Sequence, residues 1–407
     1  MQQKWKGLIA MACLAGVAVL AACTDAAGVG PVSARDNHPR VAPVAPGAFV
    51  WDTEITGTTG PGALYGLYKP PNWNGDVVYI GHGFIDAALP VGLPTGDNIP
   101  LVRDELGALG YGVAYTSFSE NGYAFADGVR RMNQLRGLFA SNFGPPARNY
   151  LMGYSLGAQV SQALAETHPD EYDGALLMCG VVGGTTYHFS YLGDVRNLFD
   201  FFYPGVLPGG VDWMPSGVNP YTDIIPPAVA AITANPSGAG IIMQLDQTPI
   251  PGSTLQEKVQ ALLTALVWHA RGVDDLLNRV HGHLPYDNVQ TTYSSANPDL
   301  AGVLSVINNN IDRYDATDDA VAWALKNYEP SGMISFPVLT LHTTMDQSVP
   351  FGHEARYAGI VNTVGTSNWL VQRSINRFGH CNFTVAEVVA TFADLANWVE
   401  NGVKPTP

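Results

Sequence analysis

Short, unbroken apolar runs recur along this chain, separated by longer stretches whose apolar residues return every three or four positions. Asp76 to Ile80, Val113 to Phe118, Tyr150 to Met152, Gly174 to Cys179, Phe336 to Leu341 and Trp369 to Ser374 read as strands. Runs that are apolar at nearly every position belong to strands buried on both faces. Pro100 to Leu109, Asp127 to Phe139, Ser155 to Glu166 and Gly352 to Val361 read as helices. A last helix runs to Val399, with Thr384 and Glu387 spaced as a capping box at its start. Asp127 is placed to cap its own helix, and Arg130, Arg131 and Arg136 to line that helix's solvent face. Phe49 to Ile55 and Ala63 to Tyr68 flank the turn residues Gly57 to Gly62, which predicts an opening antiparallel hairpin. Strands and helices alternating at this pitch predict an α/β fold: a mostly parallel central sheet with helices on both faces.

After Gly184 the rhythm changes. Residues 185–332 hold few strand-like runs and many aromatics, among them Tyr187, Phe189, Tyr191, Phe199, Phe201, Phe202, Tyr203 and Trp213. Helical periodicity covers 255–270, 273–280, 299–308 and 318–328, with Ser253 and Gln256 as a capping box for the first. A stretch this long between two core strands predicts a large helical cap inserted between core segments 47–184 and 333–407. Its aromatics are expected mainly in its own core. His281-x-His283, with Asp274, Asp275 and Asp287 nearby, invites a metal reading, but alternate residues of a loop are poor evidence for one. No metal site is expected.

The amino terminus carries Lys4 and Lys6, then an apolar run from Gly7 to Ala22. That run is short for a membrane span, which needs about 20 apolar residues, and fits a secretory signal over 1–22. The ending Leu20-Ala21-Ala22-Cys23 resembles a bacterial lipobox, which implies cleavage before Cys23, lipid on its sulfur and a membrane anchor. Thr24 in place of aspartate resembles the sorting pattern of outer-membrane lipoproteins, so a cell-envelope location is expected. Residues 23–46, rich in Ala, Gly, Pro and Val, read as a tether.

The whole chain of 407 residues holds 20 Lys+Arg against 35 Asp+Glu, a net charge of −15, and loss of the leader makes it more negative. Nucleic acid, which needs a basic face, is excluded as a partner. Of the four cysteines, Cys179 and Cys381 remain in the mature chain besides Cys23. Export permits a bridge between them, which would staple the loop at His380 to the sheet; two separate buried thiols are the alternative.

The chemistry centres on Gly153-Tyr154-Ser155-Leu156-Gly157, between a strand and a helix. A serine on that turn is lifted clear of the sheet and faces the helix amino terminus. A hydroxyl is a weak nucleophile and needs a base, oriented by a third group. Asp346 and His380 each follow a predicted strand, in the order serine, acid, histidine. Rival acids Asp312, Asp315, Asp318 and Asp319 lie where aspartates cap helices; His342 and His353 are the rival bases. Oxyanion donors are expected at the N–H of Leu156 and at the Gly83-Phe84 turn, with His82 structural.

Gly81-His82-Gly83, the serine turn, Asp346 ahead of Val349-Pro350, and Gly379-His380 together resemble the α/β-hydrolase superfamily. The resemblance spans the core and leaves out the insertion. It implies an acyl-enzyme formed on Ser155, with no cofactor. His380-Cys381 also resembles the tannase and feruloyl esterase group, in which a disulfide joins residues beside the serine and the histidine. Tyr154 precedes Ser155 here, so that likeness makes Cys179 the partner of Cys381. The expected activity is hydrolysis of a bulky or aromatic carboxylic ester, small or polymeric, outside the cytoplasm. A serine peptidase of the same fold, binding a substrate amine through Asp274-Asp275 or Asp318-Asp319, is one alternative. A non-catalytic binding lipoprotein is the other.

Overall fold

The computed structural model describes residues 49–280 and 282–407. The leader, the whole tether, the lipidation residue Cys23 and His281 lie outside the described residues. The described chain forms two compact units, one from the chain up to Gly184 with Lys326–Pro407, the other Thr185–Leu325.

The first unit is built on one eight-stranded sheet: β1 Thr53–Thr59, β2 Ala63–Lys69, β3 Asp76–Gly81, β4 Gly112–Thr116, β5 Arg148–Tyr154, β6 Gly174–Met178, β7 Val338–Met345 and β8 Leu370–Phe378. Their order across the sheet is β1-β2-β4-β3-β5-β6-β7-β8. The β1–β2 hairpin pairs antiparallel and joins β4 antiparallel; every later pairing is parallel. β3, β4 and β6 are buried at every position, as continuous apolar runs require, whereas β1 alternates at the sheet edge.

Helix α1 (Ile99–Ala108) and the carboxy-terminal helix (Val385–Asn401) cover one face through Ile99, Val102, Leu106, Val388, Phe392 and Leu395. Helices α2 (Phe125–Phe143) and α3 (Leu156–Thr167) pack on the strands through buried residues including Leu135, Phe139, Val160 and Leu164. The Thr384–Glu387 capping box is present. α2 starts two residues before Asp127, so Asp127 does not cap it. Its buried carboxylate instead accepts from the N–H of Ser119 at 2.6 Å and pairs with Arg131 at 3.1 Å. Arg131 is therefore buried rather than on the solvent face, because a carboxylate taken out of water needs a cation beside it.

Helix α3 enters the sheet closely. A Cβ at Gly157 would meet the backbone of Gly81 and lie 2.6 Å from the carbonyl oxygen of His82. A Cβ at Gly153 would lie 2.6 Å from the nitrogen of Ala158. Only glycine permits that approach.

The insertion is shorter at its far end than the sequence pattern suggests. Residues 326–332 belong with the sheet unit, where Tyr328, Ser331 and Gly332 all donate to the carboxylate of Glu166, which also accepts from Tyr357. The second unit contains α4 (Thr185–Phe202), α5 (Ile225–Ala234), α6 (Pro236–Ile242), α7 (Leu255–Arg279) and α8 (Ala301–Asn310). α7 is one continuous helix where the pattern suggested two, and its capping box is Thr254 with Glu257, one residue beyond Ser253 and Gln256. Threonine at 254 has the extended backbone an amino-terminal cap requires. Tyr191, Phe199 and Tyr203 are buried, and Trp213 is exposed. Asp194, buried in this unit, accepts from Tyr286 and Tyr293, each at 2.8 Å. Burial pushes its carboxyl up to about 6 against those two hydrogen bonds.

Candidate active site

Ser155 follows the last residue of β5 and precedes α3, with φ 53° and ψ −118°. A non-glycine residue held there costs on the order of 1–3 kcal/mol and persists only where its surroundings impose it. The imposition is visible: the N–H of Ser155 donates to the carbonyl of Met178 at the end of β6, at 2.9 Å. The next residue, Cys179, has φ 44° and its N–H donates to Leu341 at 2.8 Å. Cys179 is disulfide-bonded to Cys381, which has φ 48°. Three strained residues thus sit along one path from the serine turn to the histidine loop.

Asp346 emerges from β7 fully buried. One carboxylate oxygen accepts the N–H groups of Ser348 and Val349, both at 2.8 Å. The other accepts Nδ1–H of His380 at 2.7 Å. The histidine loop is fastened from both sides, since Gly379 N–H donates to Met345 at 3.1 Å and the Thr343 hydroxyl donates to the Gly379 carbonyl at 2.6 Å. With Nδ1 committed to Asp346, Nε2 is the nitrogen that can take a proton. It lies 3.5 Å from Sγ of Cys381. Burial pushes the Asp346 carboxyl up, but His380 and His342 together outweigh it and hold the group well below the usual carboxylate range. Among the described residues the Ser155 hydroxyl makes no hydrogen bond with His380. Such bonds are often long without substrate and tighten when it binds.

The rival bases are occupied. His342 is buried, with Nδ1 at 3.0 Å from Glu354, Nε2 at 3.0 Å from the Val349 carbonyl and at 3.5 Å from Asp346. Both ring nitrogens therefore face acceptors, which makes this ring an imidazolium. Nδ1 of His353 accepts the N–H of Gly183 at 3.0 Å. The sequence pattern gave no sign of the His342–Asp346 contact, because its spacing of four residues crosses a strand end.

On the other side of the serine, a Cβ at Gly83 would lie 3.3 Å from Cβ of Ser155. This puts the Gly83-Phe84 turn beside the nucleophile. Leu156 is the first residue of α3, so its N–H has no acceptor within the helix. His82 is buried on Phe118, 4.0 Å between ring centroids, and its Nδ1 bonds the Gly83 carbonyl at 2.7 Å. Asp97, which the sequence pattern did not single out, approaches the same point.

The sulfurs of Cys179 and Cys381 lie within 4.8 Å of the His380 ring nitrogen. Bonded to each other they are not thiolates, so this triangle offers a metal only one imidazole. In the other unit Asp275 pairs with Arg279 at 3.0 Å, and Asp319 accepts from Thr317 and lies 3.8 Å from His283.

Strand order, the strained serine turn after β5 and an acid after β7 ahead of a histidine after β8 define the α/β-hydrolase fold. No family model matches the chain. In sequence it is similar to the o-phthalyl amidase of Xanthobacter agilis, 22% identical over 419 residues that cover 87% of this chain and 89% of that protein. Similar solved structures include an esterase from Aspergillus oryzae, with a TM-score of 0.45 and 16% identity over 86% of this chain and 80% of that one. Feruloyl esterase B from the same organism aligns with a TM-score of 0.43 and 15% identity, over 86% and 81%. The acylaminoacyl peptidase of Pyrococcus horikoshii aligns with a TM-score of 0.42 and 8% identity, over 84% and 41%.

Proposed function

We propose that this protein is a serine hydrolase acting on carboxylic esters of a bulky or aromatic substrate. The observation that carries this reading is the 2.7 Å hydrogen bond from His380 Nδ1 to buried Asp346, on a loop that the disulfide ties to the strained serine turn. Ser155 attacks the acyl carbon while its proton passes to Nε2 of His380, and Asp346 holds the ring in the tautomer that can accept it. The oxyanion is stabilised by N–H groups of Leu156 and of the Gly83-Phe84 turn. His380 then returns the proton to the leaving oxygen, and water, deprotonated by the same nitrogen, releases the acid.

A second reading, cleavage of an aryl amide by the same steps, is supported by the likeness to o-phthalyl amidase along most of the chain. Amides need the leaving nitrogen protonated as the bond breaks, and His380 is the group that would supply that proton. We further place the enzyme in the cell envelope, lipidated at Cys23; the Cys179–Cys381 bond supports an oxidising compartment.

The test is intact mass after treating protein truncated at Cys23 with a fluorophosphonate, beside Ser155→Ala, followed by matched p-nitrophenyl esters and p-nitroanilides of aromatic acids. One adduct lost in the variant, with esters turned over faster, supports the esterase. Anilides turned over as fast would favour the amidase. No adduct on folded protein would overturn the activated serine and leave a binding protein.

A further inference from the structure

Asp97 lies in the loop that leads into α1. An ideal Cβ on Gly83 would be 3.3 Å from Oδ2 of Asp97 and 3.3 Å from Cβ of Ser155. Carboxylate oxygen and serine Cβ therefore both border Gly83, no farther apart than twice that distance. Asp97 is half-buried, and among the described residues it has no hydrogen-bond or ion-pair partner. It is held in place at a backbone cost. Asp97 has φ 54° and Asn98 has φ 57°, two successive left-handed residues. The N–H of Ile99 donates to Gly96 at 3.0 Å, that of Val102 to Asn98 at 2.9 Å, and Ile99 is buried in the core. Adjacent Tyr154 is buried with its hydroxyl unpartnered; burial first and the Asp97 charge second oppose its ionisation.

A carboxylate here is a liability for the proposed chemistry. Negative charge grows on the carbonyl oxygen in the transition state, on the side of the serine where this carboxylate stands without an ion-pair partner among the described residues. A substrate carrying a positive charge would remove that penalty, and one carrying a carboxylate would double it.

We propose that Asp97 is a specificity-determining residue that selects substrates bearing an ammonium group close to the scissile carbonyl and rejects those bearing a carboxylate there. This rests on the ester-hydrolase reading and runs against the second one, since an o-phthalyl amide carries a carboxylate beside its scissile carbonyl. Gly83 is part of the device, because a side chain there would crowd both the carboxylate and Ser155.

The experiment compares kcat/KM for three p-nitrophenyl esters of similar length: 4-(trimethylammonio)butyrate, pentanoate and hemisuccinate. For the wild type the cationic ester is expected to exceed the anionic one by at least about tenfold, an advantage that shrinks as salt is raised. Asp97→Asn keeps a residue that tolerates the left-handed backbone and is expected to lower that ratio about tenfold or more. An unchanged ratio in a variant that melts like the wild type overturns the proposal. Should the variant not fold, a wild-type ratio near one, or one indifferent to salt, overturns it equally. Loss of the serine-hydrolase reading is seen separately, as pentanoate turnover that is absent or survives Ser155→Ala, and takes this proposal with it.

Discussion

Sγ of Cys381 lies 3.5 Å from Nε2 of His380, beside the nitrogen that the mechanism needs for the serine proton. The same sulfur is bonded to Cys179, whose chain neighbour Met178 accepts the N–H of Ser155. The bond therefore sets base and nucleophile relative to each other as well as closing a loop spanning 202 residues. Replacing both cysteines with alanine is expected to cost about 2–5 kcal/mol of stability. It should also lower kcat more than tenfold at temperatures where the variant stays folded, with KM less affected. Thermal melts and steady-state kinetics at 15 °C separate the two effects; a fall in melting temperature with kcat intact would leave the bond a purely structural role.

His342 shares Asp346 with His380 and bonds Glu354 on its far side. Burial pushes its ring pKa down, but hydrogen bonds to Asp346 and Glu354 outweigh this and raise it to about 10. A folded value above the unfolded one stabilises the protein fully below about pH 6.5, and that contribution is lost as pH rises through about 10. Removing one member of a buried charged group leaves the others unpaired, at a cost of about 3 kcal/mol or more. His342→Gln is thus expected to melt lower at pH 7 and to lose the wild type's extra decline in melting temperature between pH 7 and 10. Parallel melting curves for the two proteins over that range would remove the imidazolium from the account.

Gly157 carries no side chain because the backbone of Gly81 and the His82 carbonyl occupy the place of its Cβ. Neither neighbour is the mobile end of a side chain, so Gly157→Ala must push α3 off β3 and carry Ser155 with it. A loss of about 3 kcal/mol or more, with fluorophosphonate labelling abolished, is expected. Gly137→Ala, in an exposed helical position where a Cβ meets nothing within 4 Å, serves as the control: labelling should be unchanged and stability equal or higher by up to about 1 kcal/mol.

Much of the sheet unit could be read from the chain. Apolar runs located β3, β6 and β7 because strands covered on both faces have no polar side to dilute the signal. The capping box at Thr384 and Glu387 worked for a similar reason, since its partners are three residues apart. The pattern misplaces Arg131, because an arginine signals solvent unless the carboxylate that buries it is known, and the whole Asp127 environment is set by the fold. The pattern runs residues 326–332 into the insertion because nothing local announces that Glu166, more than 160 positions earlier, collects their donors.

For the site, sequence determined the residue types and their chain order, because a serine between two glycines at a strand-to-helix turn is a local demand of backbone geometry. Tertiary structure alone decided the electrostatics. The positions of Asp97 beside Gly83, of His342 behind Asp346 and of Cys381 beside Nε2 are relations between separate strands and loops. Charge interactions depend on distance and burial, and neither is written in the spacing along the chain.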